Sequence, residues 1–129
     1  MNYLLVFIGG FFGAILRFLL GNTIHPLSNG FPMQTFLINI IGCFFLGFFL
    51  PFAKVRLKPE FSLLIGTGFT GAFTTFSSFS MENVKLVNGN QLFISFLYIF
   101  SSVILGIIFS YLGYKLSNHF TKVKGESVV

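Results

Sequence analysis

The chain has very few charged side chains and almost no thiols. Charged residues make up 9% of its 129 residues, only three are acidic, and there is one cysteine and no tryptophan. Soluble domains carry roughly 25% charged residues, so this is not the composition of a soluble domain. The single Cys43 excludes an intramolecular disulfide. The chain also lacks a Walker loop and any cluster of histidine or cysteine ligands, and we do not expect an enzyme.

Apolar residues, at 54%, dominate what is present, and the mean hydropathy is +0.88. Four apolar stretches approach the roughly 20 residues that cross a bilayer as a helix. They predict one all-α integral membrane domain, residues 1–129, with four transmembrane helices at about residues 3–24, 34–53, 61–86 and 91–116. The connections are too short for a soluble domain. We therefore expect a multi-pass protein of a bacterial-type cell (plasma) membrane.

The basic residues are distributed unequally between the two membrane faces. Lys85 stands alone in the loops of one face. The second connection and the C-terminal end share the other face and carry Lys54, Arg56, Lys58, Lys115, Lys122 and Lys124. The positive-inside rule places both termini in the cytoplasm. Because this rule accounts for the net charge of +5, nucleic acid is not an expected partner.

The third stretch is unusually rich in glycine and hydroxyl groups. Residues 66–80 read GTGFTGAFTTFSSFS, with three glycines and seven threonines or serines. In hydrocarbon each unsatisfied backbone group costs several kcal/mol, so a helix weakened in this way must face protein or water. We predict that the third helix is broken mid-membrane near residues 71–76, which makes it a candidate ion or substrate site.

Polar residues on the neighbouring helices recur at helical spacing, which is typical of one face lining a pathway. The two stripes are Thr35, Asn39 and Gly42 on the second helix, and Ser95, Tyr98 and Ser102 on the fourth. Hydrogen bonds between helices are an alternative explanation, worth well under about 2 kcal/mol each. That alternative suffices for Thr35 and Ser95. Asn39 is a stronger candidate because an amide has four hydrogen-bonding positions to satisfy.

The first helix carries a GxxxG pair, Gly9 and Gly13, that lets another backbone approach closely. We associate this pair with oligomerisation, because four helices alone make a thin bundle. Arg17 follows one turn later on the same face. An arginine there either faces an aqueous vestibule or snorkels to the interface, and both interpretations remain open.

Phe76 and Phe79 lie three residues apart after the predicted break, interleaved with hydroxyl residues. With 21 phenylalanines in the chain, packing is the default role for any one of them. An aromatic ring has a positive edge, however, and can favour an anion without a fixed cation that would trap it.

Three segments resemble the Fluc or CrcB family of fluoride channels: GGFFGAILR at residues 9–17, TFLINIIGCFFLG at 35–47 and GFTGAFTTFSSF at 68–79. The resemblance covers nearly the whole chain. It implies an antiparallel dimer with two fluoride pathways, each lined by both protomers, that export toxic cytoplasmic fluoride passively down its electrochemical gradient.

The resemblance also implies roles for individual residues. Those similar to the family's fluoride pathway are Asn39, Phe76, Phe79, Tyr98, Ser102, Ser77 and Ser78. Arg17 would lie in the vestibule. The backbone carbonyls of Gly71 and Thr74 from both protomers would hold one structural Na⁺ at the dimer interface.

The charge bias bears on the partner. A dual-topology homodimer should show little lysine and arginine bias, so the bias favours a paralogous subunit and a heterodimer. The pore positions implied by the resemblance are nevertheless all present. Both assemblies stay open.

Two other functions compete with the channel. A proton-coupled exporter of cationic drugs would need an acid within the membrane, but Glu60 and Glu82 are expected at span ends and Glu126 in the tail. A purely structural membrane protein would not explain the hydroxyls and glycines at the break. His25 and His119 lie near opposite faces and are expected to be interfacial.

Overall fold

The computed structural model describes residues 2–25 and 27–122, and it is helical throughout those ranges apart from short connections. The elements in chain order are α1 (Asn2–Thr23), α2 (Met33–Arg56), α3 (Pro59–Ser62), a π-helix π1 (Leu63–Phe69), α4 (Thr70–Phe73), α5 (Phe76–Asn88) and α6 (Leu92–Lys122). The all-helical prediction is confirmed for these residues. Lys124 and Glu126, which entered the charge arguments, lie outside them.

Three helices are long and apolar enough to cross a bilayer. They are α1, α2 and residues 92–121 of α6, which have 22, 24 and 30 residues. The mean hydropathies of their apolar segments are 2.2, 2.2 and 2.5. The prediction of a multi-pass membrane protein is confirmed to this extent. The third predicted span is instead a succession of shorter elements, from α3 to α5. We refer to residues 59–88 as the third segment.

Helices α2 and α6 form the central pair, and small residues set their separation. A Cβ atom at Gly47 would overlap the backbone carbonyl of Ser110, and one at Gly113 would overlap that of Phe44. Glycine allows two helix backbones to approach this closely without steric conflict. The two backbones are therefore in direct contact where Gly47 and Gly113 lie.

The GxxxG pair of α1 is used within the protomer. A Cβ atom at Gly9 would overlap the carbonyl of Leu64, and one at Gly13 the carbonyl of Phe69, both in π1. Gly68 of π1 faces the backbone of Val6 in the same way. The expectation that Gly9 and Gly13 serve oligomerisation is thus wrong, because the backbone that they accommodate belongs to the chain's own third segment.

An aromatic cluster fills one end of the bundle around Tyr98, which is fully buried. The centroid of the Phe31 ring lies 5.3 Å from that of Tyr98 in an edge-to-face arrangement, and the centroid of the Phe79 ring lies 4.9 Å from that of Tyr98. Phe36 packs edge-to-face on Phe31. Edge-to-face pairs are favoured by the aromatic quadrupole, so the cluster holds α5 and α6 against the loop before α2.

Candidate ion pathway at the interrupted third segment

The third segment is interrupted at two residues. Helix α4 ends at Phe73, Thr74 has ψ 157° and Thr75 has φ −145° and ψ 111°, and α5 then begins at Phe76. Two consecutive extended residues cannot continue the i to i−4 hydrogen bonds of a helix. The backbone groups around Thr74 and Thr75 must therefore find other partners.

Asn39 of α2 supplies two of these partners through its side-chain amide. Its Nδ2 donates to the carbonyl oxygen of Thr75 at 3.1 Å, and the Thr75 N–H donates to its Oδ1 at 2.8 Å. Both backbone polar groups of Thr75 are thereby satisfied although the residue is only 7% exposed. The predicted role of Asn39 as a donor to an ion is consequently restricted to the one amide N–H that this pairing leaves.

Thr75 organises the start of α5. Its Oγ1 accepts the Ser78 N–H at 3.1 Å as the helix N-cap, donates to Ser78 Oγ at 3.0 Å, and lies 3.2 Å from Ser77 Oγ. The predicted pathway hydroxyls of Ser77 and Ser78 are thus gathered at a helix N-terminus, where the helix dipole favours negative charge. Sequence reasoning missed Thr75. A threonine preceding the helical run FSSF was the available N-cap signal.

A cavity of about 340 Å³ opens beside this interruption, between α2, the third segment and α6. Its walls include five of the residues predicted for the pathway or the sodium site, namely Asn39, Thr74, Phe76, Phe79 and Ser102. Ser102 Oγ is buried and has no hydrogen-bond partner in the described part of the chain. A buried hydroxyl left without a partner costs about 1–3 kcal/mol, so a ligand, water or second subunit at this wall would stabilise it.

The cavity continues along the α2–α6 pair. A second groove of about 740 Å³ shares Cys43 and Ser102 with the cavity and reaches Ser110 and Tyr114 near the far end of α6. The two together form one groove along the protomer's surface. A groove open to the side is incomplete as an ion pathway in lipid, because hydroxyls would face hydrocarbon.

The two predicted aromatics have different surroundings. Phe76 is 79% exposed, and its ring centroid lies 5.9 Å from that of Phe79. Phe79 is half-buried and packs on Tyr98. Phe79 is therefore fixed by the protomer's own core, whereas Phe76 presents its ring outward.

Tyr98 lies behind the cavity wall. Its hydroxyl donates to Glu82 Oε2 at 2.8 Å, and Thr35 Oγ1 donates to Glu82 Oε1 at 2.7 Å. Glu82 was expected at a span end, but it is half-buried. Each of its carboxylate oxygens accepts a hydrogen bond from a hydroxyl group, one from each polar stripe. Sequence reasoning missed it as a site residue. The available signal was that each polar stripe carries a hydroxyl residue, Thr35 in one and Tyr98 in the other, that could donate to a shared carboxylate.

The carbonyls proposed for sodium are released from helical hydrogen bonding by the same contacts. In a continuous helix the Thr75 N–H would bond the Gly71 carbonyl and the Ser78 N–H the Thr74 carbonyl, but these donors go to Asn39 and to Thr75 Oγ1. Gly71 is exposed, and a Cβ atom there would meet no described residue within 4 Å. Carbonyl oxygens on an open face suit a hard cation such as Na⁺.

Three other candidates lie away from this cavity. Arg17 is half-buried on α1 and lines neither part of the groove. His25 and His119 are exposed. Over residues 2–25 and 27–122 there is no group of three histidine, cysteine, aspartate or glutamate side chains that could hold a metal ion. A metal site built from side-chain ligands of these types is thus not formed by the described residues.

Comparison with known proteins gives concordant matches over most of the chain. The family model described as "CrcB-like protein, Camphor Resistance (CrcB)" matches residues 4–114. "Fluoride-specific ion channel FluC" of Oceanobacillus iheyensis is 47% identical over 118 residues, covering 90% of this chain and 91% of that protein. One strain of Bacillus cereus has two relatives, "Fluoride-specific ion channel FluC 2" and "FluC 1". They are 47% and 44% identical, cover 90% and 93% of this chain, and are themselves covered over 97% and 90% of their lengths.

Proposed function

Because this chain belongs to the CrcB family, we propose that it is a fluoride-selective ion channel of the cell membrane and not an enzyme. The observation that carries the proposal is the cavity at the interrupted third segment. It joins an amide, hydroxyls and the rings of Phe76 and Phe79, and its described wall residues include no cationic side chain. Such a wall can replace the water around a small anion and still release it.

The proposed assembly is an antiparallel dimer with two pathways. The groove along α2 and α6 is open on one side, and Phe76 and Gly71 face outward from the protomer. A second subunit placed against these surfaces would enclose the groove and remove its hydroxyls from lipid. Either a second copy or a paralogue could fill this role. The occurrence of two relatives in one Bacillus cereus strain supports the paralogue, and the intact site supports the second copy.

Permeation needs no coupled energy source in this proposal. A membrane potential negative inside drives an anion outward with about 2.3 kcal/mol per elementary charge per 100 mV. Fluoride would exchange water for the free amide N–H of Asn39, the hydroxyl of Ser102 and those of Ser77 and Ser78, and the ring edges of Phe76 and Phe79. Arg17 would raise the local anion concentration in the vestibule without binding the ion tightly.

We further propose a structural Na⁺ held by the carbonyls of Gly71 and Thr74 from both protomers. When bound, the cation would neutralise carbonyl dipoles that the interruption leaves without helical donors. Exchange of the purified dimer into sodium-free buffer tests this, with dimer content measured by gel filtration. Loss of the dimer supports the site, whereas a dimer indifferent to sodium removes it.

The channel itself is tested by reconstitution. The chain is purified alone, placed in liposomes loaded with fluoride or chloride, and efflux is followed with ion-selective electrodes. Fluoride efflux without chloride efflux supports a selective channel made by one gene product. If the chain is silent, it is co-expressed with a paralogue, and silence there also would overturn the fluoride assignment.

A further inference from the structure

A separate pocket lies next to the aromatic cluster, and Leu86 belongs to both. It has a volume of about 300 Å³ and is lined by Gly30, Pro32, Glu82, Lys85, Leu86 and Gln91. None of these residues lines the groove that holds Asn39 and Ser102. The pocket is also the more polar of the two environments, since three of its six wall residues carry charged or amide side chains.

The pocket is connected to the groove by a continuous chain of contacts. Phe79 lines the groove and packs on Tyr98 at 4.9 Å, Tyr98 donates to Glu82 at 2.8 Å, and Glu82 lines the pocket. Phe79, Tyr98 and Glu82 therefore link the wall of the groove to the wall of the pocket. A pathway that follows these contacts from the groove would open into the pocket.

The rim of the pocket is built by the loop before α2. Gly30 has φ +82°, a conformation that only glycine adopts readily, and a Cβ atom there would lie 2.9 Å from Gln91 Oε1. The neighbouring Phe31 is buried in the aromatic cluster. The rim is thus anchored to the same cluster that links the pocket to the groove.

The charges of the pocket favour an anion only because of Lys85. Glu82 is the acidic residue of the pocket wall, and each of its carboxyl oxygens accepts a hydrogen bond from a hydroxyl group. Lys85 lies three residues later, on the same face of α5, and is exposed. No ion pair within 4 Å joins the Lys85 ammonium to a described carboxylate. Its charge is therefore available to the pocket.

We propose that this pocket is the second mouth of the fluoride pathway and that Lys85 is its anion-attracting residue. The proposal rests on the proposed channel function. A lysine at an exposed mouth acts through the local ion concentration, so it raises flux without trapping the ion, and salt weakens its effect. It also offsets the repulsion that Glu82 exerts on an approaching anion.

The test compares Lys85→Gln and Lys85→Glu with wild type in liposome flux, at about 20 mM and about 1 M ionic strength, where the Debye length is roughly 20 Å and 3 Å. At low salt one unit charge about 8 Å from the ion alters its local concentration about twofold, so we expect flux to fall about twofold in the first variant and about fourfold in the second. At high salt both should approach wild type.

Lys58→Glu is the matched control. Lys58 is exposed and lines none of the pockets described above. In an antiparallel dimer the Lys58 of one protomer shares a membrane face with the Lys85 of the other, so this variant makes the same change in general surface charge.

Each outcome decides the proposal. A low-salt decrease in the Lys85 variants that exceeds the control supports the mouth. Lys85 variants that conduct like wild type, or that change only as much as Lys58→Glu, overturn it while the channel function stands. Fluoride flux absent from the wild type, alone and with a paralogue, overturns the channel function and the mouth with it.

Discussion

Replacing Asn39 with leucine should destabilise the interruption of the third segment. Leucine has the same number and branching of side-chain heavy atoms as asparagine but no polar atom, so the change removes the hydrogen bonds to the Thr75 N–H and carbonyl, at 2.8 Å and 3.1 Å, without leaving a cavity. Thr75 is only 7% exposed, and water has little access to the two groups.

The expected cost follows from what remains unpaired. A buried backbone group left without a partner costs about 1–3 kcal/mol, so two such groups cost at least about 2 kcal/mol. Side-chain hydrogen bonds between membrane helices average only about 0.6 kcal/mol, because their partners find replacements. Here the partners are backbone groups at an interruption, whose own helical partners are out of reach.

Thermal unfolding in detergent measures the effect through Cys43, the chain's only thiol. Cys43 is a half-buried residue of α2 that lines the groove between α2 and α6, so a thiol-reactive fluorophore reports the loss of packing between these helices. A loss of about 2 kcal/mol should lower the melting temperature by about 5 °C or more for a chain of this size. Asn22→Leu, at an exposed amide near the end of α1, is the matched control.

Asn39→Asp separates stability from conduction. An aspartate keeps the acceptor for the Thr75 N–H, but its second oxygen faces the Thr75 carbonyl without a proton to donate, so this variant should unfold at a lower temperature than wild type. Its negative charge on the cavity wall should nevertheless reduce fluoride flux more than its stability predicts. If Asn39→Leu melts within about 2 °C of the Asn22→Leu control, the interruption does not depend on this amide and our account of it is refuted.

Further predictions concern the packing and the pathway. Gly9→Ala should prevent normal folding, because its Cβ would meet the Leu64 carbonyl. Gly71→Ala, whose Cβ would have no described residue within 4 Å, should leave the protomer's melting temperature unchanged and lower only the dimer fraction in gel filtration. The opposite ranking would contradict the packing described for α1 and π1. Tyr98→Phe should lower stability by about 1–2 kcal/mol, because Glu82 loses a hydrogen-bond donor while the ring stays in the cluster. Tyr3→Phe, at a 92% exposed position, is its control. Equal melting temperatures for the two variants would argue against the Tyr98–Glu82 hydrogen bond. Phe79→Ile and Phe76→Ile should lower fluoride flux in liposomes with the dimer intact, and wild-type flux in both would count against an aromatic pathway.

The helical fold and its membrane character could be read from the sequence because they depend on apolar stretches of sufficient length. The location of the weak point could also be read, since residues 66–80 concentrate glycine and hydroxyls. The hydrogen-bond partners of that weak point could not be predicted from the sequence. Asn39 and Thr75 are 36 residues apart, and a helical stripe predicts which face is polar but not which backbone group it meets.

The sequence also does not show which backbone a pair of closely spaced glycines contacts. Gly9 and Gly13 permit close backbone contact, but the same spacing serves an internal helix as well as a neighbouring subunit. Glu82 shows a related limit, since its position near the end of an apolar stretch said nothing of Thr35 and Tyr98, which donate to it from two other helices. Both cases needed the register between helices, which depends on packing across the whole bundle.

The contacts of the third segment have a consequence for the order of synthesis. Every irregular part of this segment is matched to something made earlier in the chain: π1 lies against Gly9 and Gly13, and the Thr75 backbone is bonded to Asn39. When the ribosome releases residues 59–88, α1 and α2 have already been translated, since a chain is made from its N-terminus. The segment least able to exist alone in lipid therefore enters a membrane in which its intramolecular partners already exist, and α6 arrives last to pack along α2.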